Sequence, residues 1–150
     1  MNLKINKAMI SDIDELIFCN KRNLPIYYKS EDYINFIKND NFITLIARID
    51  NKIIGYIIGE YSFQKNLFHI LSFAVDQDFR RKNIGSILMN RIINYAKYKF
   101  INLNYSSLNV SEHNYKAIKF YETNGFKLIK IIKNYYSSND NGFYYLKKIR

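Results

Sequence analysis

The sequence predicts a single α/β domain, a mixed sheet flanked by helices. Three observations carry this. Hydrophobic residues make up 48% of the 150 residues, and with only five glycines and one proline the composition is that of one packed core rather than a disordered chain. Apolar runs of strand length alternate with stretches at helical spacing, in the order β-α-α-β-β-β-α-β-α-β-β. Residues 69–99 read in succession as a buried strand, a basic turn and an amphipathic helix.

Taken in order, residues 3 to 8 read as a first strand. Ser11 and Asp14 resemble a capping box opening a helix, with Ile13, Leu16, Ile17 and Asn20 along one face. Pro25 ends that helix and pushes Leu24 out of helical geometry. Ser30-Glu31-Asp32 opens a second short helix whose apolar side is Tyr33, Phe36 and Ile37. Phe42 to Ile49 and Lys52 to Tyr61 form a hairpin across the turn pair Asp50-Asn51. Phe68 to Val75 is the next strand, and the central helix covers about 85 to 100. Leu103 to Val110 is a strand and Glu112 to Thr123 a helix, stopped by Asn124-Gly125. Phe126 to Lys133 and Phe143 to Ile149 close the domain as an antiparallel pair, joined by a polar loop, Ser137 to Gly142. No repeat or linker divides the chain, so residues 1–150 are one domain.

The formal net charge is +10, and between Lys116 and Arg150 eight basic residues face two acidic ones. Such a field attracts anions: a nucleotide cofactor, an acidic peptide or nucleic acid. The lone Cys19 excludes an internal disulfide, fits a reducing compartment, and reads as a small buried hydrophobe rather than a catalytic thiol. The first residues lack the apolar stretch of a signal peptide, and the apolar run Ile53 to Gly59 is too short to cross a membrane. A cytoplasmic protein with no membrane or metal partner is expected.

The turn Arg80-Arg81-Lys82-Asn83-Ile84-Gly85 joins a strand to a helix start. Free N–H groups, the positive end of the helix dipole and three cations make it an anion site, and the expected ligand is a phosphate or pyrophosphate. Arg80-x-x-Asn83-x-Gly85 resembles the Arg/Gln-x-x-Gly-x-Gly/Ala loop of the GCN5-related N-acetyltransferases. It departs from that pattern at Asn83, a residue type that still tolerates left-handed backbone. Residues 114–126 resemble the second signature of that family, Asn-x-x-Ala-x-x-x-Tyr-x-x-x-Gly-Phe, at Asn114, Ala117, Tyr121, Gly125 and Phe126. The resemblance runs end to end. It implies a mostly antiparallel sheet splayed at the cofactor strand and acetyl-CoA as co-substrate. The cofactor residues it implies are Phe73, Val75, Arg80, Arg81, Lys82, Asn83, Gly85, Ser86, Asn114 and Tyr121.

Two aromatic clusters narrow the resemblance to the protein N-terminal acetyltransferases, of NatE, NatA or RimI type. Asn23-Leu-Pro-Ile-Tyr-Tyr28 is similar to the Leu/Phe-Pro-x-x-Tyr turn that walls their peptide groove, and Lys133-Asn-Tyr-Tyr136 to the aromatic pair of the opposite wall. The implied acceptor contacts are Leu24, Pro25, Ile26, Tyr28, His69, Leu71, Asn109, Tyr135 and Tyr136. Phenol lips of this kind would form a slot that admits a free α-amine and rejects an internal lysine. NatA types carry a glutamate where Ile26 stands; the apolar residue here favours Met-starting or otherwise apolar N-termini.

Chemistry requires a neutral amine, attack on a thioester and protonation of a thiolate. His69, on the cofactor strand, is the expected base. Asn109 stands where RimI-like enzymes carry a glutamate; it cannot take a proton but can hold water or peptide backbone. Tyr121 is the expected acid, and an oxyanion donor is expected from the bulged strand near Phe73 to Val75. The rival readings are an acetyltransferase of the same family acting on a small-molecule amine or lysine side chain, and a basic binding module without catalysis. An auxiliary subunit or the ribosome is a conceivable partner; nucleic acid is not favoured.

Overall fold

The computed structural model describes residues 2–150. Among them, one seven-stranded sheet runs in the order β1-β2-β3-β4-β5-β7-β6. Its strands are β1 (Leu3–Lys7), β2 (Phe42–Ile49), β3 (Lys52–Ser62), β4 (Leu67–Val75), β5 (Tyr105–Ser111), β6 (Lys127–Ser137) and β7 (Asp140–Lys148). Every pairing is antiparallel except β4 with β5. The helices are α1 (Ile13–Asn23), α2 (Ser30–Lys38), α3 (Ile84–Lys99) and α4 (Tyr115–Thr123). None of them is long and apolar enough to cross a membrane.

Two cores sandwich the sheet. On one face, Leu16 and Cys19 of α1 and Tyr33 and Phe36 of α2 pack on Ile46, Tyr56 and Ile58. On the other, Ile84, Leu88, Ile92 and Ala96 of α3, the stripe at helical spacing, pack on Leu45, Ile57 and Phe68, with α4 beside them. β2 and β3 are buried on both faces, so they read as continuous apolar runs rather than alternating ones. Asp50 and Asn51 both take positive φ (51° and 65°), the twist a two-residue hairpin needs.

Several boundaries differ from the sequence reading. The first helix is not opened by Ser11: a 3-10 turn, Ile10–Asp12, leads into it, and the Asp12 carboxylate accepts the Met9 N–H at the start of that turn at 2.8 Å. β5 starts at Tyr105 because Leu103 closes a turn, its N–H donating to the Phe100 carbonyl. α4 starts at Tyr115: Asn114 is its cap, and its side chain accepts the Ala117 N–H at 3.3 Å. The final hairpin departs most. The polar stretch 137–142 is no loop; β6 runs to Ser137 and β7 begins at Asp140. Asn134 adopts left-handed backbone (φ 54°) where the register shifts between Ile132 and Ser137, and Asn139 (φ 64°) closes the two-residue turn between the strands. Tyr135 and Tyr136 therefore sit on a strand.

Candidate active site

The site grows out of a defect in β4. Pairing with β3 runs Ile58 to Ser72 and then Gly59 to Ile70, which leaves Leu71 as an extra residue. The bulge switches the faces of the strand. Phe68 and Ile70 point to the α3 core before it; Phe73 and Val75 do so after it, while Leu71 joins the α1–α2 side. The expected bulge of this strand thus lies at Leu71, just before the Phe73–Val75 segment where the oxyanion donor is expected. β4 and β5 pair only at Leu67–Tyr105, Phe68–Ser106 and His69–Ser107, after which they part. The expected splay is there, opening next to the bulge.

Beyond β4 the chain forms an anion cradle. Arg81 (φ 61°) and Asn83 (φ 66°) alternate in left-handed conformation before α3 begins. The backbone N–H groups of Arg81 through Ser86 have no hydrogen-bond partner among the described residues, as expected where a nest meets a helix N-terminus. Gly85 closes the cradle's inner side: a Cβ there would stand 3.2 Å from the Phe73 ring and 3.3 Å from the Phe120 ring. These residues fit a pyrophosphate. Lys82 extends over the Phe79 ring, 5.7 Å from its centroid. The Arg80 side chain instead turns back, donating to the Val75 carbonyl at 2.8 Å and to Asn23 Oδ1 at 3.3 Å.

Asn23 belongs to a half-buried cluster at the end of α1. It donates to Asp76 Oδ1 at 2.7 Å, and Arg22 grips both Asp76 oxygens at 2.9 and 2.7 Å. Burial pushes the Asp76 carboxyl up, but hydrogen bonds from Arg22 and Asn23 outweigh it and leave the group below its ordinary range. Cys19 is fully buried, and burial with the neighbouring Asp76 pushes its thiol up to about 12, away from thiolate chemistry.

On the α4 side, Tyr121 packs against Phe73, Phe120 and Phe126 with ring centroids 6.4, 5.6 and 6.1 Å away. Burial, with Tyr136 nearby, raises its phenol well above the ordinary tyrosine range, so the hydroxyl stays protonated. On the other face, His69 Nδ1 lies 2.8 Å from Ser107 Oγ, and burial followed by the charge of Lys65 lowers the imidazole pKa. The ring is neutral at pH 7 and able to accept a proton. Two residues further along β5 from Ser107, Asn109 donates to the Tyr135 hydroxyl at 3.3 Å, while its Oδ1 is buried and unpaired.

Both aromatic clusters reach this face. Leu24 is extended (φ −131°, ψ 149°), as Pro25 demands, and the chain leads to Tyr28, packed edge-on against Tyr33 and Phe36 at 6.2 and 5.3 Å. Burial raises the Tyr28 phenol, with Asp32 and then Tyr135 contributing. Tyr135 and Tyr136 stand edge to face at 4.9 Å, and burial pushes Tyr136 up to about 12. Tyr135 lies across Gly142 of β7, where a Cβ would come within 2.8 Å of its side chain. Ile26 is half-exposed (53%) on the α1–α2 lip.

Most expected residues therefore converge: Leu71, His69 and Asn109 between the lips, Phe73, Val75, Gly85 and Tyr121 on the opposite side of the splay, Arg81 to Ser86 in the cradle. Asn114 is placed differently, its side chain committed to capping α4. Sequence reasoning missed Ser72, hidden inside an apolar run, Asp76, just past the end of that run, and Ser107, in the polar first half of β5. It also gave no role to Asn20, although an asparagine on an apolar helical stripe is a readable signal.

The sequence matches the acetyltransferase (GNAT) family over residues 10–126. It is 30% identical to an N-alpha-acetyltransferase of Saccharolobus solfataricus, covering 93% of this chain and 89% of that protein. An N-alpha-acetyltransferase of Sulfurisphaera tokodaii is 28% identical over the same shares. Ard1 of Thermoplasma volcanium superposes with a TM-score of 0.87 at 25% identity, covering 100% of this chain and 99% of that one.

Proposed function

From the premise that this chain belongs to the acetyltransferase (GNAT) family and is an acetyl-CoA-dependent acyltransferase, we propose that it acetylates the free α-amine of protein N-termini, with a lean towards Met-starting or apolar ones. One observation carries the acceptor class. Tyr28 on one lip feels the charge of Tyr135 on the other, and Tyr135 accepts a hydrogen bond from Asn109 of β5. A slot between two phenols suits a chain end, and the name carried by the Saccharolobus relative supports the same acceptor. The lean rests on Ile26, an exposed apolar side chain on the lip. A cytoplasmic setting is part of the proposal, supported by the single buried Cys19, and an auxiliary subunit or ribosome by the +10 charge.

Acetyl-CoA supplies an acetyl group activated as a thioester, so the acceptor nitrogen forms the new C–N bond as the C–S bond breaks. The backbone N–H groups of Arg81 to Ser86, with the Arg81 and Lys82 cations, hold its pyrophosphate. Phe73, Val75 and Ala117 line the pantetheine path. With Nδ1–H donating to Ser107 Oγ, His69 keeps the Nε2 lone pair for the amine proton, taken directly or through water. An α-amine has a reference pKa near 8, so a modest base suffices. Asn109 presents its carboxamide to the acceptor nitrogen or a bridging water. The protonated Tyr121 hydroxyl delivers a proton to the departing sulfur.

The test is mass-spectrometric acetyl transfer to free peptides beginning Met-Leu, Met-Asp, Ser and Ala, and to an N-blocked peptide with an internal lysine. Transfer confined to free α-amines is expected, with Met-Leu preferred, and Ile26→Glu is expected to shift preference from Met-Leu towards Ser. Transfer to the lysine peptide alone would overturn the proposal.

A further inference from the structure

One deeply buried polar group beside the acceptor slot is given no task by the proposed chemistry. Asn20 of α1 is 1% exposed, yet its carboxamide is fully engaged. Nδ2 donates to the Ile26 carbonyl at 3.0 Å and to the Tyr56 hydroxyl at 3.1 Å, and Oδ1 accepts the Tyr28 N–H at 3.2 Å. Tyr56, fully buried on β3, stands 2.8 Å from Ser72 Oγ. Ser72 is the residue next to the extra Leu71 of the β4 bulge.

The consequence is a continuous chain of hydrogen bonds from lip to bulge. Residues 24–29 have no helix or strand ladder to hold them. The Ile26 carbonyl and Tyr28 N–H have no backbone partner among the described residues, so the Asn20 side chain takes the place of one. Because Asn20 gives its N–H to the Tyr56 oxygen, the Tyr56 proton is left for Ser72. One carboxamide thereby fixes the two backbone groups flanking Tyr27, one on the residue assigned to selectivity and one on the tyrosine lip. It ties them to the strand segment where the acceptor meets the cofactor. No apolar or one-sided polar residue of this size supplies two donors and an acceptor.

We infer that Asn20 is a positioning residue for the acceptor, clamping the Ile26–Tyr28 lip in register with the β4 bulge through Tyr56 and Ser72. This rests on the reading of that lip as an acceptor wall. It touches neither substrate, and it leaves the Arg81–Ser86 cradle alone. Its loss therefore weakens acceptor binding and blurs selectivity without weakening acetyl-CoA binding.

The test uses the full chain with Asn20→Ala and, because a buried truncation can fail to fold, Tyr56→Phe, which keeps the ring and cuts the chain of hydrogen bonds. Steady-state kinetics with a Met-Leu and a Ser peptide are paired with acetyl-CoA titration calorimetry. The chain contains no tryptophan, so Tyr27→Trp gives a single reporter of lip mobility by fluorescence anisotropy, with the Tyr27→Trp protein as reference. Peptide KM is expected to rise about tenfold for Asn20→Ala, as loss of two or three ordering hydrogen bonds implies. Tyr56→Phe should raise it less, the Met-Leu to Ser ratio should fall towards one, acetyl-CoA affinity should hold within twofold, and the reporter should loosen. Unchanged peptide KM with an unchanged reporter overturns the inference, as does a parallel loss of acetyl-CoA affinity. If the unmutated protein proves to acetylate no α-amine, the acceptor reading fails by itself, and the reporter alone decides: a loosened lip upholds the clamp, an unmoved one overturns it.

Discussion

Asn83 is where this chain departs from the glycine of the family loop, and its backbone makes the departure measurable. It caps α3 at φ 66°, ψ 9°, in the left-handed region. An L-residue with an ordinary Cβ costs about 1–2 kcal/mol there, asparagine less, and glycine almost nothing. Asn83→Ala should therefore cost about 1 kcal/mol, and Asn83→Gly should be neutral or slightly favourable. The cost can surface in two places. If the loop keeps its shape, alanine lowers unfolding stability by about 1 kcal/mol. If the loop relaxes, stability is spared, and rebuilding the cradle on binding weakens acetyl-CoA by about fivefold. The sum of the two is the prediction. Urea denaturation and acetyl-CoA calorimetry on the three proteins measure both terms. Alanine equal to glycine in stability and affinity would refute the claim that left-handed backbone at residue 83 shapes the cradle.

Gly142→Ala should push Tyr135 off β7, since the new Cβ would stand 2.8 Å from its Cβ and Cγ; peptide KM should rise several-fold with acetyl-CoA affinity unchanged. The pH dependence of kcat/KM should show two protonations on its acid side. One is the acceptor amine near pH 8; the other is His69, below the ordinary histidine value because burial disfavours the cation. The slope should therefore steepen from one to two below about pH 6.5, and His69→Gln should remove the steeper part. Asp76 has a folded-state pKa held below its unfolded value, so its contribution to stability is complete above about pH 4 and is lost as pH falls through the lowered folded value. Asp76→Asn should flatten the stability curve in that acid window, read by denaturation between pH 2 and 5 (about the carboxylate range).

Legibility followed how local the determining forces were. The α3 stripe, the Asp50-Asn51 hairpin and the Pro25 stop depend on neighbours in sequence, and the structure places them as read. So does the basic turn at the N-terminus of α3, because phosphate-binding backbone needs only a short run of residues in the right conformations. The residue at which β4 bulges, Leu71, is a property of pairing with β3 and is invisible in β4 alone. The asparagines around Tyr135 and Tyr136 made the expected strand stop at Lys133, short of both. The tyrosines' place on β6 comes from the ladder with β7, which lapses after Ile132–Gly142, passes a left-handed Asn134 and resumes at Ser137–Asp140. The buried Asn20–Tyr56–Ser72 chain joins residues far apart in sequence, and only Asn20 betrays itself, by sitting among apolar neighbours.

The central claim is that two tyrosine lips restrict transfer to chain ends. The most direct measurement gives the enzyme one peptide bearing both a free Met-Leu N-terminus and an internal lysine, with acetyl-CoA, and locates the acetyl group by tandem mass spectrometry. The account predicts modification of the α-amine alone, and loss of that modification in Tyr28→Ala and Tyr135→Ala. Acetylation of the lysine in preference to the α-amine, or an α-amine product unaffected by both substitutions, would contradict it.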